Sequence, residues 1–257
     1  MKKTTIVILF LTLTTFITAF GQTAYKSGEF FKFQVSYGII NAGVATLELN
    51  ETTYNGKKIF HAKGLGKTTG ISRFFFKVHD DYQSYFDIKT GQPYRFIRNI
   101  YEGGYTRNQE GFVNYQNNTI LLKDHKNNSE SSHKIHSKIQ DVVSSFYYLR
   151  NNEKLNALKK GEAIEIDMFF DDEIYNFKLK FMGFEKIKTK FGTINTMMFR
   201  PYVQSGRVFK EQESLTIWVS NDRNRIPLKI QASLAVGSLK AELVEYKNLS
   251  NQLEIIK

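Results

Sequence analysis

Glu29-Phe30-Phe31-Lys32-Phe33-Gln34-Val35-Ser36-Tyr37 decides the fold class, because Phe31, Phe33, Val35 and Tyr37 alternate with Lys32, Gln34 and Ser36. Successive side chains on a strand point to opposite faces. A period of two therefore means one buried and one wet face, as in antiparallel sheets. The same period continues outward from this stretch. Ala45, Leu47 and Leu49 alternate with Val44, Thr46 and Glu48, and Phe177, Leu179 and Phe181 with Lys178 and Lys180. Near the C-terminus Leu215, Ile217 and Val219 oppose Thr216 and Trp218, while Leu228, Ile230, Ala232 and Leu234 oppose Lys229, Gln231 and Ser233. Turn residues separate the runs. Asn55-Gly56 is the strongest signal, since both residues tolerate the positive φ of a two-residue hairpin turn. Asn117-Asn118, Asp171-Asp172, Asn221-Asp222 and Gly237-Ser238 mark others. The pattern predicts an all-β, mainly antiparallel protein of roughly thirteen to fifteen strands.

One segment departs from it. Ile139, Val142, Val143, Phe146, Tyr147 and Leu149 fall at helical spacing, and Asp141 is suited to cap a helix running to Arg150. Such a helix is about 15 Å long and covers about three strands at a spacing of about 4.8 Å. The other strands must cover one another, so the sheet is expected to curl into a half-barrel or barrel, or to stack as two layers. Gly28-Glu29 and Gly161-Glu162 each precede an alternating run, a weak internal echo. The polar stretch from Lys123 to Lys138 predicts a mobile loop leading to the helix. The expected organisation is one β-rich domain over residues 22–257, with two sheet halves meeting near 125–160.

The N-terminus carries Lys2 and Lys3, a mostly apolar stretch from Thr4 to Phe20, and Ala19-Phe20-Gly21 ahead of Gln22. Basic, apolar and small-x-small regions in that order predict a signal peptide over residues 1–21, cleaved after Gly21. Six threonines within those 17 apolar-region residues argue against a permanent membrane span. A periplasmic or secreted location follows, with no transmembrane segment after signal removal. The chain has no cysteine, which excludes disulfides, thiolate catalysis and thiolate metal sites. Its formal charge is +11, and loss of Lys2 and Lys3 with the signal lowers it to +9. Acidic partners suit that charge, but basic and acidic residues are interspersed, and an exported chain is not expected to meet nucleic acid.

Several strings in order resemble an exported bacterial family known only as a domain of unknown function, DUF3108. They are Gly28-Glu29 with Tyr37-Gly38 and Ala42-Gly43, the Asp80 to Asp87 strand, Tyr101 to Tyr105 ending in Gly104-Tyr105, Gln140-Asp141 with Tyr147-Tyr148-Leu149-Arg150, and Ile217-Trp218-Val219-Ser220 followed by Asp222, Arg225-Ile226-Pro227 and Leu239 to Leu243. The likeness spans about Gly28 to Tyr246. Where that family usually places proline after the aspartate before the helix, this chain has Val142. The resemblance implies an exported Gram-negative β-protein and no particular activity.

Candidate chemistry is sparse. His133 and His136, with His125 nearby, have zinc-ligand spacing, but their Asn, Ser and Lys neighbours predict solvated chain. His79 and Asp81 share a strand face, yet no Gly-x-Ser-x-Gly elbow presents a nucleophile to them. Asp167, Asp171, Asp172 and Glu173 lack the spacing of a calcium loop, and Asp171-Asp172 suits a turn. No phosphate-cradling glycine motif is present, so no cofactor is expected. Aromatic residues are the notable surplus. Beyond the signal there are 19 Phe, 14 Tyr and Trp218, and Phe74-Phe75-Phe76 would place rings on both faces of one strand. An apolar cavity with a few polar groups at its mouth would use such a surplus. Arg95, Arg98, Tyr101, Arg150, Trp218 and Asp222 are the expected mouth residues. The leading expectation is a non-catalytic binding or carrier module for an amphiphile, a lipid or an acidic envelope glycan. A structural or assembly partner of an outer-membrane complex comes second, and a hydrolase third.

Overall fold

The computed structural model describes residues 23–135, 138–202 and 215–256. The expected signal peptide and its cleavage site lie outside the described residues. Among the described residues fifteen strands form a single sheet: β1 (Glu29–Tyr37), β2 (Ile40–Tyr54), β3 (Lys57–Thr68), β4 (Val78–Phe86), β5 (Pro93–Glu102), β6 (Tyr105–Asn114), β7 (Thr119–Asp124), β8 (Ser129–Lys134), β9 (Ile139–Gln140), β10 (Ala163–Phe170), β11 (Glu173–Thr189), β12 (Gly192–Tyr202), β13 (Leu215–Ser220), β14 (Pro227–Ser233) and β15 (Ser238–Lys247). Among the described residues two short α-helices, α1 (Ser72–Phe75) and α2 (Val142–Arg150), and a 3-10 turn (Glu153–Ala157) interrupt them.

The strand order is β8-β7-β6-β5-β4-β3-β2-β1-β15-β14-β13-β12-β11-β10-β9. Two meanders therefore run outward from the β1–β15 pair, and every pairing is antiparallel except β9 with β10. Two-residue turns do the work the sequence assigns them. Asn55 and Gly56 have φ of 48° and 76°, and Asp171 and Asp172 have 48° and 67°, so both pairs take the positive-φ geometry that matches strand twist.

The hydrogen-bonded ladder does not close, because β8 and β9 are its two free edges. Side chains close it instead. Phe96 of β5 and Ile120 and Leu122 of β7 pack on Ile139 of β9 and Phe169 of β10. Beside them Arg98 of β5 pairs with Asp171 in the β10–β11 turn, and Gln109 donates to Asp172 Oδ1 at 3.1 Å. The result is a barrel-like sheet with a side-chain seam.

Helix α2 plugs one end of it. Val143 and Tyr147 join a cluster with Tyr25, Leu49, Phe60 and Phe86. Phe146 packs toward Phe31 and its neighbours, and Tyr148 and Leu149 toward Leu179 and Phe181. A helix touched on nearly every side is a core element. Asp141 caps it as expected, accepting from Val143 N (2.8 Å) and Ser144 N (3.0 Å), while Ser144 Oγ accepts from Asp141 N (2.9 Å).

Three expectations need correction. Ile139 belongs to β9, not to the helix. The polar stretch from Lys123 is largely strand, since β8 (Ser129–Lys134) pairs with β7 through its backbone. An edge strand needs no apolar face to form its ladder, and its polar side chains protect the exposed edge. Phe74 to Phe76 do not lie on a strand. Ser72–Phe75 is a single helical turn, and all three rings are exposed. Gly70, at φ 57°, ends the alternation before them.

Candidate ligand groove at the open end of the sheet

Strand β1 shows how the interior changes along its length. Phe31 and Phe33 are buried, Val35 is half-buried and Tyr37 is exposed, although all four occupy one face. The first two meet the packed core behind α2. The last two border an open apolar groove of about 570 Å³. Its walls include Ile40, Val44, Phe75, Phe76, Val78 and Leu239, and Lys67 is the charged residue on its border.

Small residues make the space. Gly43 pairs with Val35, and Gly66 with Ala45, so the rows that continue Phe31 and Phe33 inward carry almost no side chain. Gly43 is required by close strand approach, because a Cβ there would sit 2.5 Å from Lys67 O. Gly66 is under no such constraint: its nearest heavy atoms beyond chain neighbours would be Asp80 side-chain atoms at 3.9–4.0 Å. The absence of side chain at Gly66 is therefore space that backbone geometry does not demand.

The loop that carries the aromatic wall is tied down at both ends. Thr69 N donates to Ala42 O (3.0 Å), Val78 N to Thr68 Oγ1 (3.0 Å), and Gly103 N to Lys77 O (2.9 Å). Opposite, Tyr37 OH donates to Val236 O at 2.6 Å, holding the β14–β15 turn against the end of β1. Beside Gly66, its partner across the strand pair, burial and then the charge of Glu102 raise the Asp80 carboxyl to about 6, while it accepts from Tyr101 N at 3.2 Å.

The residues expected at a ligand mouth are not gathered at this groove. Arg150 is buried, its Nη1 and Nη2 bound to Glu29 Oε1 and Oε2 at 2.5 and 2.8 Å. Its remaining donors reach Asn224 O (2.9 Å) and Ala24 O (2.8 Å), among the rings of Tyr25, Phe31, Phe146 and Tyr147. Asp222 accepts from Ser220 Oγ (2.7 Å) and from Asn224 N and Arg225 N (3.0 and 3.1 Å), organising a bend. Arg150 and Asp222 do border one shallow polar depression of about 670 Å³, at the helix end of the molecule. Arg98 is engaged across the seam, between Asp171 and the rings of Tyr82 and Phe170. Arg95 pairs with Glu110 at 2.5 Å over Tyr85 and Phe112. Trp218 donates to Glu185 Oε2 (2.7 Å) beneath Lys229, and Tyr101 lies under Lys77.

Histidines and acids are also dispersed. His125 contacts Glu110 Oε2 at 3.0 Å, His133 contacts Ser131 Oγ at 2.8 Å, and His136 lies outside the described residues. Among the described residues no three His, Asp or Glu side chains are grouped to hold a metal, and no helix is long and apolar enough to cross a membrane. Sequence reasoning missed the groove itself. Its signal was the run of small residues Ala42, Gly43, Ala45, Gly64 and Gly66 in two adjacent strands.

An open barrel-like antiparallel sheet with an internal helix and one unfilled end is thus the class of protein that the geometry defines. The model of the protein family of unknown function DUF3108 matches residues 32–244, and the chain belongs to that family. Its fold is similar to a β-barrel-like protein of the domain of unknown function DUF1849 from Brucella abortus, at 11% identity and a TM-score of 0.55, over 86% of this chain and 98% of that one. A DUF1089 family protein from Pseudomonas aeruginosa aligns at 10% identity with a TM-score of 0.35, over 71% and 87% of the two chains. No curated protein matches the chain.

Proposed function

We propose that the protein is an exported, non-catalytic binding or carrier module whose open groove takes the apolar part of an amphiphile, a lipid above all. One observation carries this reading: an apolar space of about 570 Å³ that stays open although the same sheet is densely packed a few residues away. Ligand sites commonly occupy about 300–1,000 Å³ and are mainly apolar with few polar groups. Burying an acyl chain there would gain about 25 cal/mol per Å² of apolar surface removed from water. Lys67 at the border suits an acidic or polar head. Export rests on the N-terminal order of basic, apolar and small residues, with processing after Gly21.

The test is titration of the processed protein, its N-terminus verified by intact mass, with a fluorescent fatty-acyl probe. Saturable binding by the wild type and its loss in Gly66→Leu, which fills the groove floor, is the expected result. A wild type without saturable binding defeats the reading and leaves an assembly role as its successor.

A further inference from the structure

Three turns at the groove end put large apolar side chains into water. Ile39 of the β1–β2 turn is 101% exposed, Phe74 of the β3–β4 connection 89%, and Val236 of the β14–β15 turn 77%. They share one end of the sheet by register: Tyr37 pairs with both Ile40 and Leu239, and Gly43 with Thr68. None of the three lines the groove, so an occupant of the groove does not account for their exposure.

The three segments that carry these tips hold charge of one sign. Residues 36–43, 66–79 and 232–241 carry Lys67, Arg73, Lys77 and Lys240 and no Asp or Glu. Acids stand beside them: Glu102 lies opposite Val78, one register position nearer the tips than the Lys67–His79 pair, and Asp80 is half-buried with a carboxyl raised to about 6. The tips are also held in place, through Tyr37 OH on Val236 O and Thr69 N on Ala42 O.

We infer that this end docks on the surface of an anionic lipid bilayer, with Ile39, Phe74 and Val236 entering the interface and the lysine and arginine collar meeting the headgroups. Apolar side chains projecting from held turns beside cations are the chemistry that lipid interfaces select. Each basic residue close to an anionic surface adds to the attraction, which salt screens. A protein partner would need an apolar face with an acidic rim. The bilayer supplies both features without a matching shape, and the three tips form prongs instead of a flat patch.

Cosedimentation of the processed protein with phosphatidylglycerol/phosphatidylcholine vesicles tests docking, and acyl-probe titration in vesicle-free buffer is run on the same samples. The wild type is expected to partition onto anionic vesicles, less so onto pure phosphatidylcholine and less in high salt. Ile39→Asp/Phe74→Asp should lose about tenfold or more of that partition while retaining probe binding and its far-ultraviolet spectrum. Ile39→Trp should show a blue-shifted emission quenched by brominated lipid. Unchanged partition of the double aspartate variant, or an Ile39→Trp emission that vesicles leave untouched, overturns docking. Loss of probe binding alone would instead count against the groove reading, so the two failures are separable.

Discussion

The two ends of this sheet have the same strand pattern and opposite fillings. At the helix end α2, the segment around Ala24 and Tyr25, and the Arg150–Glu29 pair occupy the interior, and even a full charge pair is enclosed with hydrogen bonds on every guanidinium nitrogen. At the groove end, β2 and β3 turn to Gly43, Ala45 and Gly66, and large apolar side chains face water. Alternation states that a face is apolar. What covers that face depends on the residues opposite it, and here one half is covered by the chain itself and the other is left for something else.

The largest expected effect breaks the filled end. Arg150→Met strands the Glu29 carboxylate in the core and should cost about 3–5 kcal/mol, lowering Tm by about 2–4 °C per kcal/mol in a thermal melt. The double variant Arg150→Met/Glu29→Leu removes both charges and should recover at least half of the loss. Binding of an acyl probe should be unchanged in any variant that stays folded, because the pair lies away from the groove. Arg150-dependent binding in a folded variant would move the ligand site to the helix end.

A smaller effect is expected at the helix start. Asp141→Ala removes the cap and the acceptor of Ser84 Oγ at 2.5 Å, for about 2 kcal/mol, measured by denaturant unfolding. Its buried carboxyl is raised by desolvation, offset by Ser84 and the helix N–H groups.

Asp80 sharpens the contrast from the groove side. Its carboxyl is raised from 3.8 to about 6 in the folded chain, so the folded state binds more protons than the unfolded between those values. Stability from this group is therefore gained as pH falls through about 6 toward 3.8, and its ionised form is a cost above about 6. Asp80→Asn should raise Tm by about 2–4 °C at pH 7.5 and leave it nearly unchanged at pH 4. An equal shift at both pH values would mean that packing, not charge, sets the effect.

Much of this architecture was legible in the chain. Alternation located the strands, Asn55-Gly56 and Asp171-Asp172 fixed two turns through their tolerance of positive φ, and Asp141 marked the helix start. What escaped has physical reasons. Glu29 and Arg150 are 121 residues apart, and a long-range ion pair leaves no periodic trace. Strand β8 is polar because an edge needs only backbone partners. The Phe74 to Phe76 run misleads because three consecutive rings carry neither period, and only Gly70 and the single turn of α1 separate strand from helical turn. The groove was hidden because it is written in glycine and alanine, and missing side chains send no hydrophobic signal. The expected mouth residues Arg95, Arg98, Tyr101, Arg150, Trp218 and Asp222 have the chemistry of a ligand mouth, but none lines the groove and each is engaged by a neighbour.

The absence of cysteine permits a direct test of the central claim that ligand enters the groove end alone. A fluorophore is attached to Ser72→Cys, on the groove wall, or to Lys89→Cys, at the helix end, and quenching by a spin-labelled fatty acid is measured. Saturable quenching of the Ser72 label with the Lys89 label unaffected is the predicted result. Equal quenching of both labels, or quenching of the Lys89 label alone, would contradict it.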